Sequence, residues 1–202
     1  MSDKRLAGRI VLIAALGVSA SALAQSNDDP LSRAVPRRQG ASACFIRSYD
    51  GAHLKAHPRQ LTQSVMLSLR YEQPYHMVRI ALQQKGRPAP LYVVGGCGWS
   101  DKANLGVDGK PLVAAFKATS GLDCHAYAGI NSDEEGGDFP IDFAVDGKSL
   151  TLHLVDRTSA WSGPNQKKKT INMRLGSEDL VFRLDRVEAA TCRSMETALR
   201  GK

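Results

Sequence analysis

The chain has 202 residues, with 27 Lys and Arg against 20 Asp and Glu, a net charge of +7 and four Cys. That length can support a single good core. Beyond residue 24 the only basic runs, Arg37-Arg38 and Lys167-Lys168-Lys169, lack interleaved aromatics, so the pattern of a nucleic-acid-binding module is absent and both read as solvated loops.

Residues 1–24 have the three-part layout of a secretory signal peptide. Lys4, Arg5 and Arg9 form a positive start, Ile10 to Val18 a short apolar core, and Ala22-Leu23-Ala24 a small-x-small cleavage site. The apolar core is shorter than the roughly 20 residues of a membrane-spanning helix. No Cys follows it closely, which argues against lipid attachment, and no Arg-Arg pair precedes it. The expected location is the periplasm, or the medium after secretion. Cleavage leaves 24 basic and 19 acidic residues, a net charge of +5. Residues 25–43, rich in Asp, Pro, Arg and Ser, read as a flexible leader. Residues 44–200 show no second linker and read as a single β domain.

Cys44, Cys97, Cys124 and Cys192 all lie in the expected mature part. An even count in an exported chain predicts two disulfides. There is no close Cys pair of the kind used by zinc sites or redox motifs. Three connectivities are open, and the favoured one is Cys97–Cys124 with Cys44–Cys192. The first would join neighbouring strands and the second would pin the start of the fold to its end.

Alternation of apolar and polar residues is the main structural signal. Val65, Leu67, Leu69 and Tyr71 share one side of a first run, and Val78, Ile80 and Leu82 one side of a second. Phe139, Ile141, Phe143 and Val145 repeat the pattern, as do Leu150, Leu152 and Leu154. So do Ile171, Met173 and Leu175, and then Leu180, Phe182 and Leu184. Period two with one polar face predicts antiparallel strands. Residues 91–95 and 124–128 are further expected strands. The polar partners Thr151, His153, Asn172, Arg174 and Arg183 read as a solvated sheet face.

Turn chemistry agrees with the strands. Asp146-Gly147-Lys148 separates two alternating runs as a hairpin signal, and Gln73-Pro74 separates two others. Glu134-Glu135-Gly136-Gly137 reads as the turn before another strand. Asp108-Gly109-Lys110 repeats the Val-Asp-Gly-Lys string of 145–148, which reads as repeated turn chemistry. Residues 187–200 read as a short terminal helix, and residues 111–120 are ambiguous. The expected fold is mostly β, an antiparallel up-and-down barrel or sandwich of about eight or nine strands with a short C-terminal helix. An outer-membrane barrel is disfavoured by the short runs and the lack of an aromatic girdle.

A signal peptide, a meander of short strands, Gly-Gly-Cys-Gly-Trp at 95–99 and a closing Cys192 together resemble small exported bacterial barrels of the calycin type, such as lipocalin-like proteins and periplasmic protease inhibitors. The chain departs from the lipocalin Gly-x-Trp pattern, since Gly98-Trp99 has no spacer and falls mid-chain. Residues 44–50, Cys124 and residues 180–186 also resemble exported proteobacterial proteins of unassigned function. The calycin resemblance implies a barrel with a rim of loops.

Chemistry-bearing patterns are sparse. His53 and His57 would share a helix face and could hold a metal with Asp50, but Pro58 pushes His57 out of helical geometry. Two His in a surface loop is the preferred reading. Asn131, Asp133, Glu135 and Gly136 echo the start of a calcium loop, but Asp142 and Asp138 stand where that motif wants Glu and an apolar residue. No G-x-S-x-G and no phosphate loop is present. The expectation is therefore no catalytic, metal or cofactor site, and Trp99 and Trp161 as loop anchors for a partner. The functional expectation is an exported binding or structural module that takes an unknown protein or a small apolar ligand, with no nucleic acid and no membrane span. A small envelope-polymer hydrolase is the alternative.

Overall fold

The computed structural model describes residues 29–105, 108–111, 113–114, 120–129, 135–155 and 157–200. The expected signal peptide and cleavage site lie outside the described residues, as does most of the calcium-like loop at 131–136. The elements in chain order are α1 (Pro30–Ala34), β1 (Ser42–Ser48), α2 (Gly51–Ala56), β2 (Thr62–Glu72), β3 (Tyr75–Gln84), β4 (Leu91–Ser100) and β5 (Gly121–Tyr127). They continue with β6 (Glu135–Phe143), β7 (Ser149–His153), β8 (Ser159–Ser162), β9 (Ile171–Asn172) and β10 (Val181–Val187). A 3-10 turn (Ala189–Cys192) leads into α3 (Arg193–Arg200).

Strands β1 to β7 pair in sequence order and β10 pairs with both β7 and β1, which closes an eight-stranded antiparallel barrel. The sandwich alternative is thereby settled in favour of the barrel. Strands β8 and β9 are an excursion between β7 and β10, attached outside the barrel where Leu91 and Tyr92 of β4 meet Ser162 and Trp161 of β8.

The alternating residues fill the barrel. Phe45, Leu67, Ile80 and Val93 lie side by side in register on four consecutive strands, each fully buried. Leu122, Ile141, Leu152 and Phe182 form a second row on the other four, again at 0 to 1% exposure. Interior side chains of this size are what an eight-stranded barrel can just accommodate. The two repeated turns also share a geometry. Lys148 N donates to Asp146 Oδ1 at 2.9 Å and Lys110 N to Asp108 Oδ1 at 3.0 Å. Each is followed through a glycine at positive φ, Gly147 at 65° and Gly109 at 74°.

Several expectations need correction. Residues 30–35 are docked, because Asp29 caps α1 through Ser32 N at 2.7 Å and Leu31 and Val35 bury themselves in the core. Residues 30–35 are therefore part of the packed structure, and the first strand begins at Ser42. Strand β9 spans only two residues, so the alternation through Leu175 overstates it. Gly136 and Gly137 lie inside β6 rather than in a turn before it. Val187 belongs to β10, so the terminal helix starts later than its apolar pattern suggests. His153 is only 6% exposed and does not belong to a solvated face.

Both disulfides have the favoured pairing. Cys97–Cys124 joins directly opposed residues of β4 and β5, with Cα atoms 4.2 Å apart. Cys44–Cys192 ties β1 to the start of the C-terminal helical segment, Cα to Cα 5.7 Å. From there α3 lies on the outer wall. Met195 and Leu199 pack with Tyr92, Val94 and Trp161 in a second apolar cluster outside the barrel. Glu196 accepts from Ser68 Oγ, and from Arg70 Nη1 at 3.1 Å. Among the described residues no helix is long and apolar enough to cross a membrane.

The loops closed by these bridges differ in length, with sequence separations of 148 and 27. The chain-entropy argument assigns upper values of about 5 and about 3.6 kcal/mol to them. Urea denaturation of the paired Cys→Ser variants should therefore show the larger loss for Cys44/Cys192. The reverse order would mean that strain or residual structure decides.

Burial also sets a pH dependence. His76 is 4% exposed and donates from Nε2 to Val35 O at 2.8 Å, and burial pulls its pKa below the usual imidazole value. Burial lowers His153 too, with Asp142 opposing. The folded state therefore resists protonation that the unfolded chain accepts. Stability is fully present above about pH 6.5 and falls as pH drops from there through the depressed folded values. Tm should fall between pH 7.5 and pH 5, and His76→Gln should reduce that fall. An identical pH profile for the variant would contradict the assignment.

Candidate functional site

The expected site residues are scattered. Trp161 is 1% exposed, with Nε1 donating to Lys168 O at 2.9 Å, so it anchors β8 and offers no surface to a partner. The loop reading failed because the side chain fills the gap between β4, β8 and α3. Trp99 is half-buried against the barrel core.

His53 lies in α2, a helix rather than a loop, capped by Asp50, whose Oδ1 accepts from His53 N at 2.7 Å. His57 is the C-terminal cap, outside helical geometry as Pro58 demands. The two rings still stack, 4.4 Å between centroids, with Tyr49 stacked on His53 at 4.6 Å. Their polar atoms are spent on closing this end of the barrel. His53 Nε2 bonds Gln60 Oε1 at 3.0 Å, and His57 Nδ1 lies 3.8 Å from Glu178. Beside them the buried Asp179 carboxylate accepts from Leu61 N, Thr62 N and Gly176 N at 2.7 to 3.0 Å. Among the described residues no group of three His, Cys, Asp or Glu is placed to hold a metal ion.

A second group of polar side chains lies on the outer wall of β3, β4 and β5. Gly96 and Gly98 occupy successive outward positions of β4; Gly96 is buried beneath neighbouring side chains, and Gly98 is exposed. Gly95 faces the other way, and a Cβ there would stand 2.0 Å from His125 O, so close strand approach explains it. A Cβ on Gly96 would stand 3.1 Å from Tyr127 Oη and 3.4 Å from His125 Nε2, so both side chains lean over this residue. Gly98 differs from both. A Cβ there would meet nothing within 4 Å, and its φ lies outside the left-handed region. Packing and backbone geometry do not require a glycine at 98.

Register places polar groups on both sides of these glycines. Met77, Gly96, His125 and Asp138 form one row across four strands, and Gly98 opposes Asp123 in the next. One step beyond the His76–Cys97 pair, the register brings Tyr75 level with Gly98, and Tyr75 is 65% exposed. Two strand spacings, about 10 Å, separate the flanking rows on β3 and β5.

On the β3 side lies Arg79, only 7% exposed. Its side chain runs along the wall to Glu72, with Nη2 donating to both carboxylate oxygens at 3.1 Å. Nη1 is buried and finds no hydrogen-bond partner among the described residues. A buried guanidinium N–H without an acceptor is costly and calls for an explanation.

The groups influence one another. Burial first, then Tyr75 and Glu72, raise the Tyr127 phenol, while Arg79 opposes them. Loss of surrounding water first, then the like charge of Asp138, raises the Asp123 carboxyl, while His125 opposes. Tyr127 Oη reaches Met77 Sδ at 3.8 Å, so the phenol spans from β5 to β3 above Gly96.

Alternation along single strands could not reveal this cluster, because its members come from β2 to β6 and meet only through register. The available signal was the glycine run at 95–98 within a strand. Two substitutions test the reading. Gly95→Ala should destabilise strongly, since backbone must move. Gly98→Ala should match or exceed the parent in urea denaturation, by up to about 1 kcal/mol. Clear destabilisation by Gly98→Ala would mean that the fold itself needs that glycine.

No family profile, no curated protein and no solved structure matches this chain.

Proposed function

We propose that the chain is an exported, non-enzymatic binding module that holds its partner on the outer wall of β3, β4 and β5. The observation that carries this reading is Gly98. Glycine weakens a strand, this one has no packing or backbone reason, and it stands among exposed Tyr75, Asp123 and the Arg79–Glu72 pair. Two disulfides support life in an oxidising compartment, the periplasm or beyond. The filled interior argues against a small apolar ligand inside the barrel. The partner contact moves from the two Trp residues to Tyr75 and its neighbours.

A second reading, hydrolysis of an envelope polymer, draws on the Asp123 carboxyl, which faces Asp138 and is raised from its ordinary value, as paired carboxylates in glycoside hydrolysis are set apart by their surroundings. In-cell photo-crosslinking decides between faces and, with an activity assay, between readings. A crosslinking residue replacing Tyr75 should form an adduct that one replacing Val181, also exposed but on β10, does not. Adducts only from 181 would sink the proposed face. Polymer cleavage abolished by Asp123→Asn, with the fold intact, would replace the binding module with an enzyme.

A further inference from the structure

We infer that the end of the barrel crossed by α1 is a docking surface for an anionic lipid bilayer. This goes beyond the binding-module reading and shares with it only the export of the chain.

Exposed apolar side chains mark this end. Tyr75 at 65% and Val145 at 109% are the two most exposed large hydrophobic residues among those described. Both stand at hairpin turns, Tyr75 where β2 turns into β3 and Val145 between β6 and β7. Both turns lie at the end that the α1 segment closes. In the closed strand order, β1 to β7 and then β10, the two turns are half a circumference apart. Ordinary strand spacing and tilt in an eight-stranded barrel set them about 16 Å from each other.

The N-terminal segment spans that distance as a strap. Pro30, Arg33 and Ala34 line a groove with residues 143–147 of the β6–β7 hairpin. At the opposite rim Gln39 Oε1 accepts from Gln73 N, and Gly40 N donates to Tyr71 O, both at 3.1 Å. Leu31, Ala34 and Val35 of the strap are buried, whereas Arg33, Arg37 and Arg38 are exposed. With Lys148 of the hairpin, these cations face two carboxylates, Asp29 and Asp146. Both carboxylates are engaged, Asp29 by the cap of α1 and by Arg37 at 3.8 Å, Asp146 by Lys148 N. The end is therefore basic across its middle and apolar at two opposite tips.

That layout narrows the partner. A soluble anion would engage the arginines and leave Tyr75 and Val145 in water. An apolar ligand would cover the tips and bury charge beside them. A bilayer surface offers phosphates and an apolar layer across the whole span at once. Arginines reach the anionic headgroups, a Tyr ring settles at the membrane–water interface, and Val145 enters the apolar layer. Position agrees. Residues 25–28 separate Asp29 from the expected cleavage site, a reach of at most about 14 Å. On the signal-peptide reading, this end stands beside the membrane while the apolar segment at residues 10–18 is still attached.

The test uses residues 25–202 with both disulfides intact and vesicles of phosphatidylcholine, with and without phosphatidylglycerol, at physiological ionic strength. Co-sedimentation should show binding only where phosphatidylglycerol is present. Arg33→Gln with Arg38→Gln should weaken it by about thirtyfold, the effect of two charges at the surface. Lys167→Gln with Lys168→Gln removes the same charge from the loop after β8, and should change binding by no more than about twofold because screening isolates it. Val145→Asp should weaken binding by about tenfold while keeping the parent Tm, since the side chain at 145 is fully exposed. No binding to phosphatidylglycerol vesicles, equal losses from the two double variants, or no loss from Val145→Asp overturns the inference. Release by inorganic phosphate at constant ionic strength also overturns it, since that would mean a phosphate site. If vesicle binding fails while protein adducts from position 75 persist, the wall stands and the membrane-facing end falls. If vesicles bind and those adducts are absent, the reverse holds.

Discussion

Closing eight antiparallel strands leaves an interior just wide enough for side chains, and the rest of this molecule follows from that constraint. Phe45, Leu67, Ile80 and Phe182 meet along the axis, so the space is consumed by the core. The ends are closed as well. At one, α1 inserts Leu31 and Val35 and ties His76 through the Val35 carbonyl. At the other, Asp179 holds the backbone at 61, 62 and 176 together. Recognition is thereby displaced to the outside wall.

That wall is divided by the C-terminal segment. Cys192 fixes the segment to β1, and α3 then covers the outer face of the strands beside it, where Ser68, Arg70, Tyr92 and Val94 are spent on packing and hydrogen bonds. Beyond the helix the wall changes character. Strands β3 and β4 carry Tyr75, Arg79 and the exposed Gly98 there, and β5 adds Asp123 and His125. One face thus supplies stability where the helix lies and an open polar surface where it does not.

Much of the architecture was legible from the sequence, because the inward residues of β2, β3, β6, β7 and β10 alternate with period two and burial on one side demands it. The repeated Asp-Gly-Lys turns were legible because the Asp side chain supplies the bond that closes them. Strand β8 was not. Ser159, Ala160 and Trp161 are all buried, so no alternation marks them, and their partners Leu91 and Tyr92 lie far away in sequence. The docked segment at residues 30–35 was hidden by composition, since the polar residues around Leu31 and Val35 outweigh them. The candidate site was invisible for a different reason. Arg79, His125 and Asp123 look like ordinary outward residues of two separate strands, and only register brings them to either side of Gly96.

The central claim is that packing fills the barrel and sends binding outside. Xenon under pressure tests it directly, since it enters apolar voids of atomic size and leaves a strong peak in diffraction. Crystals of residues 25–202 should show no xenon among Phe45, Phe139 and Phe182. A well-occupied xenon atom between those rings would mean that the barrel keeps an internal ligand space, and would contradict the account.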